Sequence, residues 1–203
     1  MTVEALTLYY HPKTRSTRAR WMLEELGVEY ELRLVKLFEG EHKKPDYLAI
    51  HPLGKVPALQ HGDRVMFESL GICLYLADRF PEAGLAPAVG DPLRAQYCQW
   101  MAFSMATLEP VLFALLFDEG EDPKKLKKAE EDFAAIEAVL EDALKNRLFL
   151  LGDAFSAADL MNGVMMVWAH SSNRVAPGSA VEQWVQRLTA RPAYRRAIRT
   201  DGG

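Results

Sequence analysis

Apolar positions recur in two different ways along this chain. Up to about residue 80 short apolar runs alternate with helical stripes, and from about residue 92 onward every stripe has helical spacing. Ala5 to Tyr10 reads as a strand and His11-Pro12-Lys13-Thr14 as a turn. Arg15 to Leu26 reads as a helix with Ala19, Met22, Leu23 and Leu26 on one face and Gly27 as its stop. Glu29 to Val35 alternates, with Tyr30, Leu32 and Leu34 on one face, so a second strand follows at the spacing of a right-handed βαβ crossover. After a polar, irregular stretch from Lys36 to Leu53, strands are expected at Pro57–Gln60 and Arg64–Phe67 around a His61-Gly62-Asp63 turn. Ser69 is then expected to cap a helix carrying Leu70, Cys73, Leu74 and Ala77. The order predicts a small mixed sheet flanked by helices, an α/β domain over residues 1–80.

Pro81 to Pro87 has the composition of a linker, placed at residues 81–91, and an all-helical domain is expected over 92–203. Asp91-Pro92 and Asp122-Pro123 each read as an N-cap followed by proline in the first turn. The first helix carries Tyr97, Trp100, Met101, Ser104 and Leu108 and should kink or end at Pro110. The second carries Phe133, Ile136, Leu140 and Leu144. Phe155-Ser156-Ala157-Ala158-Asp159-Leu160 has the spacing of a capping box, and the helix it opens, through Trp168, is apolar nearly all round and therefore expected in the middle of a bundle. A last helix, from about Ala180 to Ile198, should be interrupted at Arg191-Pro192.

Composition narrows the function classes. Hydrophobic residues make up 49% of the 203 positions, enough for real cores, and the net charge of −4 comes from interspersed acids and bases. No arm or stripe of one sign suggests a nucleic-acid footprint, and Lys-Lys-Leu-Lys-Lys at 124–128 is followed at once by Glu130-Glu131-Asp132. No uninterrupted apolar run approaches the length of a membrane span and Met1-Thr2-Val3-Glu4 does not begin a leader, so a cytoplasmic protein with no membrane partner is expected. Cys73 and Cys98 have neither Cys-x-x-Cys nor metal-ligand spacing, which predicts no disulfide framework and no metal.

The most informative stretch is Gly54-Lys55-Val56-Pro57-Ala58-Leu59, followed by Phe67-Glu68-Ser69. Pro57 has no N–H and must head a strand or an edge, its preceding bond is a candidate cis peptide, and Val56 is then placed to pair with an extended ligand. Glu68 and Ser69 put a carboxylate and a hydroxyl at a helix entrance, where backbone N–H groups favour an anion.

Together with Leu8-Tyr9-Tyr10-His11-Pro12, Leu23-Glu24-Glu25-Leu26-Gly27-Val28-Glu29-Tyr30, His51-Pro52-Leu53 and Phe155-Ser156-Ala157-Ala158-Asp159, these segments resemble the cytosolic glutathione transferases over nearly the whole chain. The resemblance implies a thioredoxin-like first domain, an all-helical second domain, a homodimer, and an enzyme that activates the thiol of bound glutathione for attack on a small hydrophobic electrophile. It also implies roles. Glu68 and Ser69 would take the γ-glutamyl end, Val56 before Pro57 the cysteinyl backbone, and Lys55 and Lys43 the glycyl carboxylate. Thiol activation would fall to Ser16, Tyr9 or Thr14, with Arg15 assisting, and Lys13 to Arg18 looks most like a bacterial and fungal subgroup with a Ser/Thr-Arg-Ser motif. Met101, Ser104, Met105, Leu108 and Phe113 of the second domain, with Tyr10 and His11 of the first, would take the electrophile. A glutathione-dependent disulfide oxidoreductase, peroxidase or isomerase, and a non-catalytic interaction module, are the alternatives.

Overall fold

A computed structural model describes residues 4–117 and 122–199, which form two compact units: the residues through Ala83 together with those from Pro192 on, and Gly84–Arg191. Met1 to Val3, on which the expected lack of a leader partly rests, lie outside the described residues.

In the first unit the order is β1 (Leu6–Tyr10), α1 (Ser16–Leu26), β2 (Glu31–Leu34), α2 (Pro45–Leu48), β3 (Ala58–His61), β4 (Arg64–Phe67) and α3 (Ser69–Arg79). The sheet runs β2-β1-β3-β4, with β1 parallel to β2 and antiparallel to β3, and β3 antiparallel to β4. This is the mixed sheet that the residue pattern implied and the thioredoxin-like domain that the family resemblance implied. Leu8 and Leu59, paired across β1 and β3, are fully buried at its centre. β3 begins at Ala58, one residue later than expected, since Pro57 has no N–H to give a ladder. The stretch from Lys36 to Leu53 is more ordered than its polarity suggested: 3-10 turns at Leu37–Glu39 and Glu41–Lys43 lead into α2. Tyr47 on α2 packs with Tyr9, Val35 and Ala58 against one face of the sheet, and burial of that ring organises the segment.

The chain returns to this unit at its end. α9 (Pro192–Ala197) follows an extended Arg191 and packs on α1, with the rings of Trp21 and Tyr194 edge to face at 4.8 Å, an Arg196–Glu24 ion pair, and Arg20 donating to the carbonyl of Arg199. The break expected at Arg191-Pro192 is where the helix stops and α9 starts.

The second unit is helical: α4 (Arg94–Phe103), a π-helical stretch (Ser104–Leu108), α5 (Glu109–Phe117), α6 (Pro123–Leu144), α7 (Ala157–Ser171) and α8 (Ala180–Ala190). The π stretch is the form that the expected disturbance at Pro110 takes. Proline has no N–H for the carbonyl four residues back and its ring crowds that carbonyl, so the ladder shifts register just before it. Because the helical conformation continues through this shift, Arg94–Phe117 is a 24-residue run long and apolar enough, by length and composition, to cross a membrane. That corrects the expectation of no such run, which counted uninterrupted apolar residues and missed a stretch punctuated by Arg94, Gln96, Gln99 and Glu109. Buried core helices share these properties, and α4 and the π stretch both pack on α7.

α7 is the core of the unit, buried continuously from Ala157 to Met166. Asn162 within it donates to the carbonyls of Trp100 and Ala158. The expected capping box forms at Ser156 and Asp159. The Asp159 carboxylate accepts from the Ser156 N–H and hydroxyl, the Leu150 N–H and the Trp184 indole N–H. Burial pushes the Asp159 carboxyl above its ordinary pKa, and those four donors oppose the shift.

Candidate active site

The Gly54–Pro57 loop is anchored at several points in the first unit. Val56–Pro57 is a cis peptide, and Val56 lies just outside the ladder, whose last pair is Tyr9↔Ala58. Tyr47 donates its hydroxyl to the carbonyl of Lys55 at 2.6 Å, and the Gly54 N–H bonds the carbonyl of His51 at 2.7 Å. Gly54 has a left-handed backbone, φ 58°, and a Cβ there would stand 2.4 Å from the backbone oxygen of His42. Only glycine meets both demands without strain. This close approach sets the backbone of Lys43 beside that of Lys55, so two exposed lysines stand on neighbouring stretches of chain. His42, next to Lys43, has a buried Nδ1 with no hydrogen-bond partner among the described residues.

The start of α3 differs from the sequence expectation. Ser69 is the first residue of the helix, not its cap; the cap position is Glu68, held at φ 71°, and no side chain caps the helix. Ser69 is buried, and its Oγ receives an N–H from the fully buried Arg18 of α1 at 3.4 Å. An arginine has donors only, so the Ser69 hydroxyl hydrogen is not used in this contact. Glu68 is exposed beside it. Arg18 was missed in reading the sequence, although its place one helical turn before Met22 puts it in line with the core-facing stripe of α1.

At the start of α1 the chain gathers hydroxyls. Thr14 Oγ1 donates to the carbonyl of His11 at 2.7 Å, accepts the N–H of Ser16 at 3.2 Å and lies 3.0 Å from Ser16 Oγ. Ser16 Oγ accepts the N–H of His11 at 3.3 Å. Lys13, just before, has φ 57°, a conformation that a non-glycine residue adopts at a cost. Ser16 is 1% exposed, Thr14 is half-buried, and Arg15 occupies the cap position, exposed and without a side-chain cap bond. The structure does not bring Tyr9 into this cluster: its hydroxyl donates to Gln60, its ring packs on Tyr47, and the guanidinium of Arg33 lies over it. Tyr10, on the opposite side of the strand, is buried with Arg20 over its ring. His11 is half-buried, with Nδ1 on the carbonyl of Val35 and its ring edge to face with Phe38.

Of the positions named for the electrophile in the helical unit, Met101, Ser104 and Leu108 are buried, with Ser104 Oγ bonded to the carbonyl of Met101. Met105 and Phe113 are partly exposed, and Phe113 stacks on Trp168. No group of three or more His, Cys, Asp or Glu that could hold a metal exists among the described residues. Cys73 is buried in α3, where desolvation pushes its thiol up to about 12 against a smaller opposing pull from Arg18, while Cys98 is exposed.

Residues 4–78 match the family "Glutathione S-transferase, N-terminal domain" and residues 98–192 match "Glutathione S-transferase, C-terminal domain". Glutathione S-transferase 3 of Zea mays is 31% identical over 209 residues, covering 95% of this chain and 93% of its own. Among solved structures, a glutathione transferase from Methylococcus capsulatus aligns with a TM-score of 0.84 and 29% identity over 96% of this chain and 97% of its own. One from Burkholderia graminis, with two glutathione molecules bound per protein subunit, aligns at 0.83 and 28% identity over 98% and 89%. Two successive domain matches in the right order and a relative this similar over nearly its full length place this chain in the glutathione S-transferase family.

Proposed function

We propose that this chain is a glutathione transferase that binds glutathione in the first unit and promotes attack of its thiolate on a small apolar electrophile. The observation that carries the reading is the pairing of an anchored Lys55-Val56-cis-Pro57 loop with an α3 whose N-terminus no side chain caps. A tripeptide with an ammonium and two carboxylates fits such a clamp. Glu68 takes the ammonium, and the Ser69 hydroxyl and the α3 amides take the γ-glutamyl carboxylate. Val56 pairs with the cysteinyl backbone, and Lys43 and Lys55 take the glycyl carboxylate.

For thiol activation the bonding pattern favours Thr14 over Ser16. Ser16 Oγ accepts the His11 N–H and lies 3.0 Å from Thr14 Oγ1 inside the turn, whereas Thr14 is half-buried and can face a ligand. Its oxygen accepts the Ser16 N–H, which makes its own O–H a better donor, and its O–H also has Ser16 Oγ within reach at 3.0 Å. That hydrogen, on the His11 carbonyl in the free protein, turns to the sulfur and stabilises the thiolate. Ser16 is then a positioning residue. Tyr9 is committed to Gln60 and carries no step; Arg15, exposed at the start of α1, adds favourable charge. Met105 and Phe113 offer an apolar surface for the electrophile on the helical unit.

The test is Thr14→Val against Ser16→Ala, with the thiol pKa of bound glutathione read from the pH–rate profile. A hydrogen bond to a charged group is worth about 1.5–3 kcal/mol, so Thr14→Val is expected to lower turnover at pH 7 by roughly tenfold or more and move the profile alkaline. An unchanged profile in Thr14→Val would sink the assignment.

The Burkholderia graminis structure, with two glutathione molecules per subunit, favours a second reading in which the glutathione thiolate attacks a mixed disulfide of glutathione, giving oxidised glutathione and releasing the substrate thiolate. Cys73 is buried and strongly protonated, so this exchange runs between two bound glutathiones and not through Cys73. Reduction of a glutathione mixed disulfide, assayed beside conjugation of an aryl halide, separates the two. The Thr14-Arg15-Ser16 triplet supports placement in the bacterial and fungal subgroup. We further propose a cytoplasmic homodimer: Cys73 and Cys98 are both free, and Leu53, Val65 and Phe67 are exposed on the first unit. Light scattering tests the dimer.

A further inference from the structure

The two halves of the clamp, the loop ending in Val56-Pro57 and the turn carrying Glu68-Ser69, are joined by a residue that the binding scheme does not use. His51 is 3% exposed. Its N–H bonds the carbonyl of Tyr47 at the end of α2, and its carbonyl accepts the N–H of Gly54. Its Nδ1 accepts the N–H of Leu53 at 3.3 Å, and its ring stacks on Phe67, centroids 4.7 Å apart and planes 30° apart. Phe67 is the residue immediately before Glu68, while Leu53 and Gly54 lead directly into Lys55-Val56-Pro57. We propose that His51 is a positioning residue for glutathione: its neutral imidazole locks the cis-proline loop to the end of β4, and protonation of Nδ1 releases that lock.

The chemistry of the ring decides the direction. An Nδ1 that accepts the Leu53 N–H must be unprotonated, so the ring's hydrogen is on Nε2. A second proton can enter only at Nδ1. It then faces another N–H, and the bond is replaced by repulsion. The charged groups acting on the ring are Lys55, which disfavours that proton, and Glu68, which favours it. Burial disfavours it most, so His51 stays neutral somewhat below the ordinary histidine range. The lock is therefore complete at pH 7 and above and opens only as the pH falls below the ordinary histidine range. The bond from Nδ1 to the N–H two residues on is the one that asparagine makes in an Asx-turn, so His51→Asn restores it with an acceptor that does not titrate.

This inference rests on the glutathione-clamp reading, and the experiment keeps the two apart. Glutathione affinity is measured by calorimetry from pH 5.5 to 7.5 on the wild type, His51→Ala, His51→Asn and Ser69→Ala, each checked for folding by circular dichroism. The wild type is expected to weaken by about fivefold toward pH 5.5, the equivalent of one ordinary hydrogen bond. His51→Ala should be about fivefold weaker and flat with pH, and His51→Asn should bind like the wild type at pH 7.5 and stay flat. A flat wild-type profile, or an acid limb that persists in His51→Asn, overturns the proposal; if His51→Ala does not fold, the asparagine variant decides alone. Loss of affinity in Ser69→Ala with none in His51→Ala overturns the role of His51 and leaves the clamp standing. Wild-type protein that binds no glutathione at any of these pH values overturns both.

Discussion

Two of the helices that open on a buried serine, α3 and α7, use that serine for different work. At the start of α7, Ser156 is the cap, and its N–H and hydroxyl are both taken by Asp159, which also holds Leu150 and Trp184. The Ser156 N–H and hydroxyl are thus both spent inside the fold. At the start of α3, Ser69 is the first helical residue; Glu68 at the cap position makes no cap bond, and Ser69 only receives an N–H from Arg18. The Ser69 hydroxyl hydrogen at the first end of α3 is left for an anion, whereas the Ser156 hydroxyl at the first end of α7 is committed to Asp159. A serine at a helix entrance therefore reads as structure or as binding only after its hydrogen is traced.

The largest effect should come from the closed end. Asp159→Ala leaves the N–H groups of Leu150 and Ser156 and the indole of Trp184 without their acceptor inside the core. Each buried unsatisfied group costs about 1–3 kcal/mol, so we expect a loss of roughly 3 kcal/mol or more in urea unfolding, with glutathione affinity of the remaining folded protein unchanged. A loss under about 1 kcal/mol would show that the network is not what holds the start of α7.

Exchanging the serines sharpens the contrast. Ser156→Ala should lower stability by about 1–2 kcal/mol and leave glutathione binding alone. Ser69→Ala should weaken glutathione binding by about tenfold and move the melting temperature little. If both variants simply lose stability, the two helix ends are equivalent and the comparison fails.

The smallest effect concerns the cysteines, one in the same helix as Ser69. Cys73 is buried with its thiol held near 12, while Cys98 is exposed on α4. A thiol reagent at pH 8 should label one cysteine per chain quickly and the second only in denaturant. Fast labelling of both would mean that α3 opens readily, and that the Ser69 end is a mobile site instead of a preformed one.

Much of this was legible in the residue pattern. The βαβ and ββα order, the break at Pro192, the capping box at Ser156 and the placement of Gly54 to Ser69 all follow from local rules: period, turn chemistry and the missing N–H of proline. What was not legible involves partners far apart in sequence. Arg18 reaches Ser69, His51 stacks on Phe67, and Tyr47 holds Lys55 only because α1, α2 and β4 converge in the fold. Likewise the residue pattern put Ser16 ahead of Tyr9 and Thr14 as the hydroxyl at the thiol. The bonds that Ser16 makes inside the turn and the Tyr9–Gln60 bond separate them in three dimensions.

The sequence by itself determined the two-part fold, the family, and the loop and helix entrance that form the proposed clamp, because backbone conformation and helix signals are set by neighbours along the chain. Only the tertiary structure decided which hydroxyls are spent and which are available. A hydroxyl has one hydrogen to give, and where that hydrogen goes depends on groups that folding alone brings within 3 Å or so.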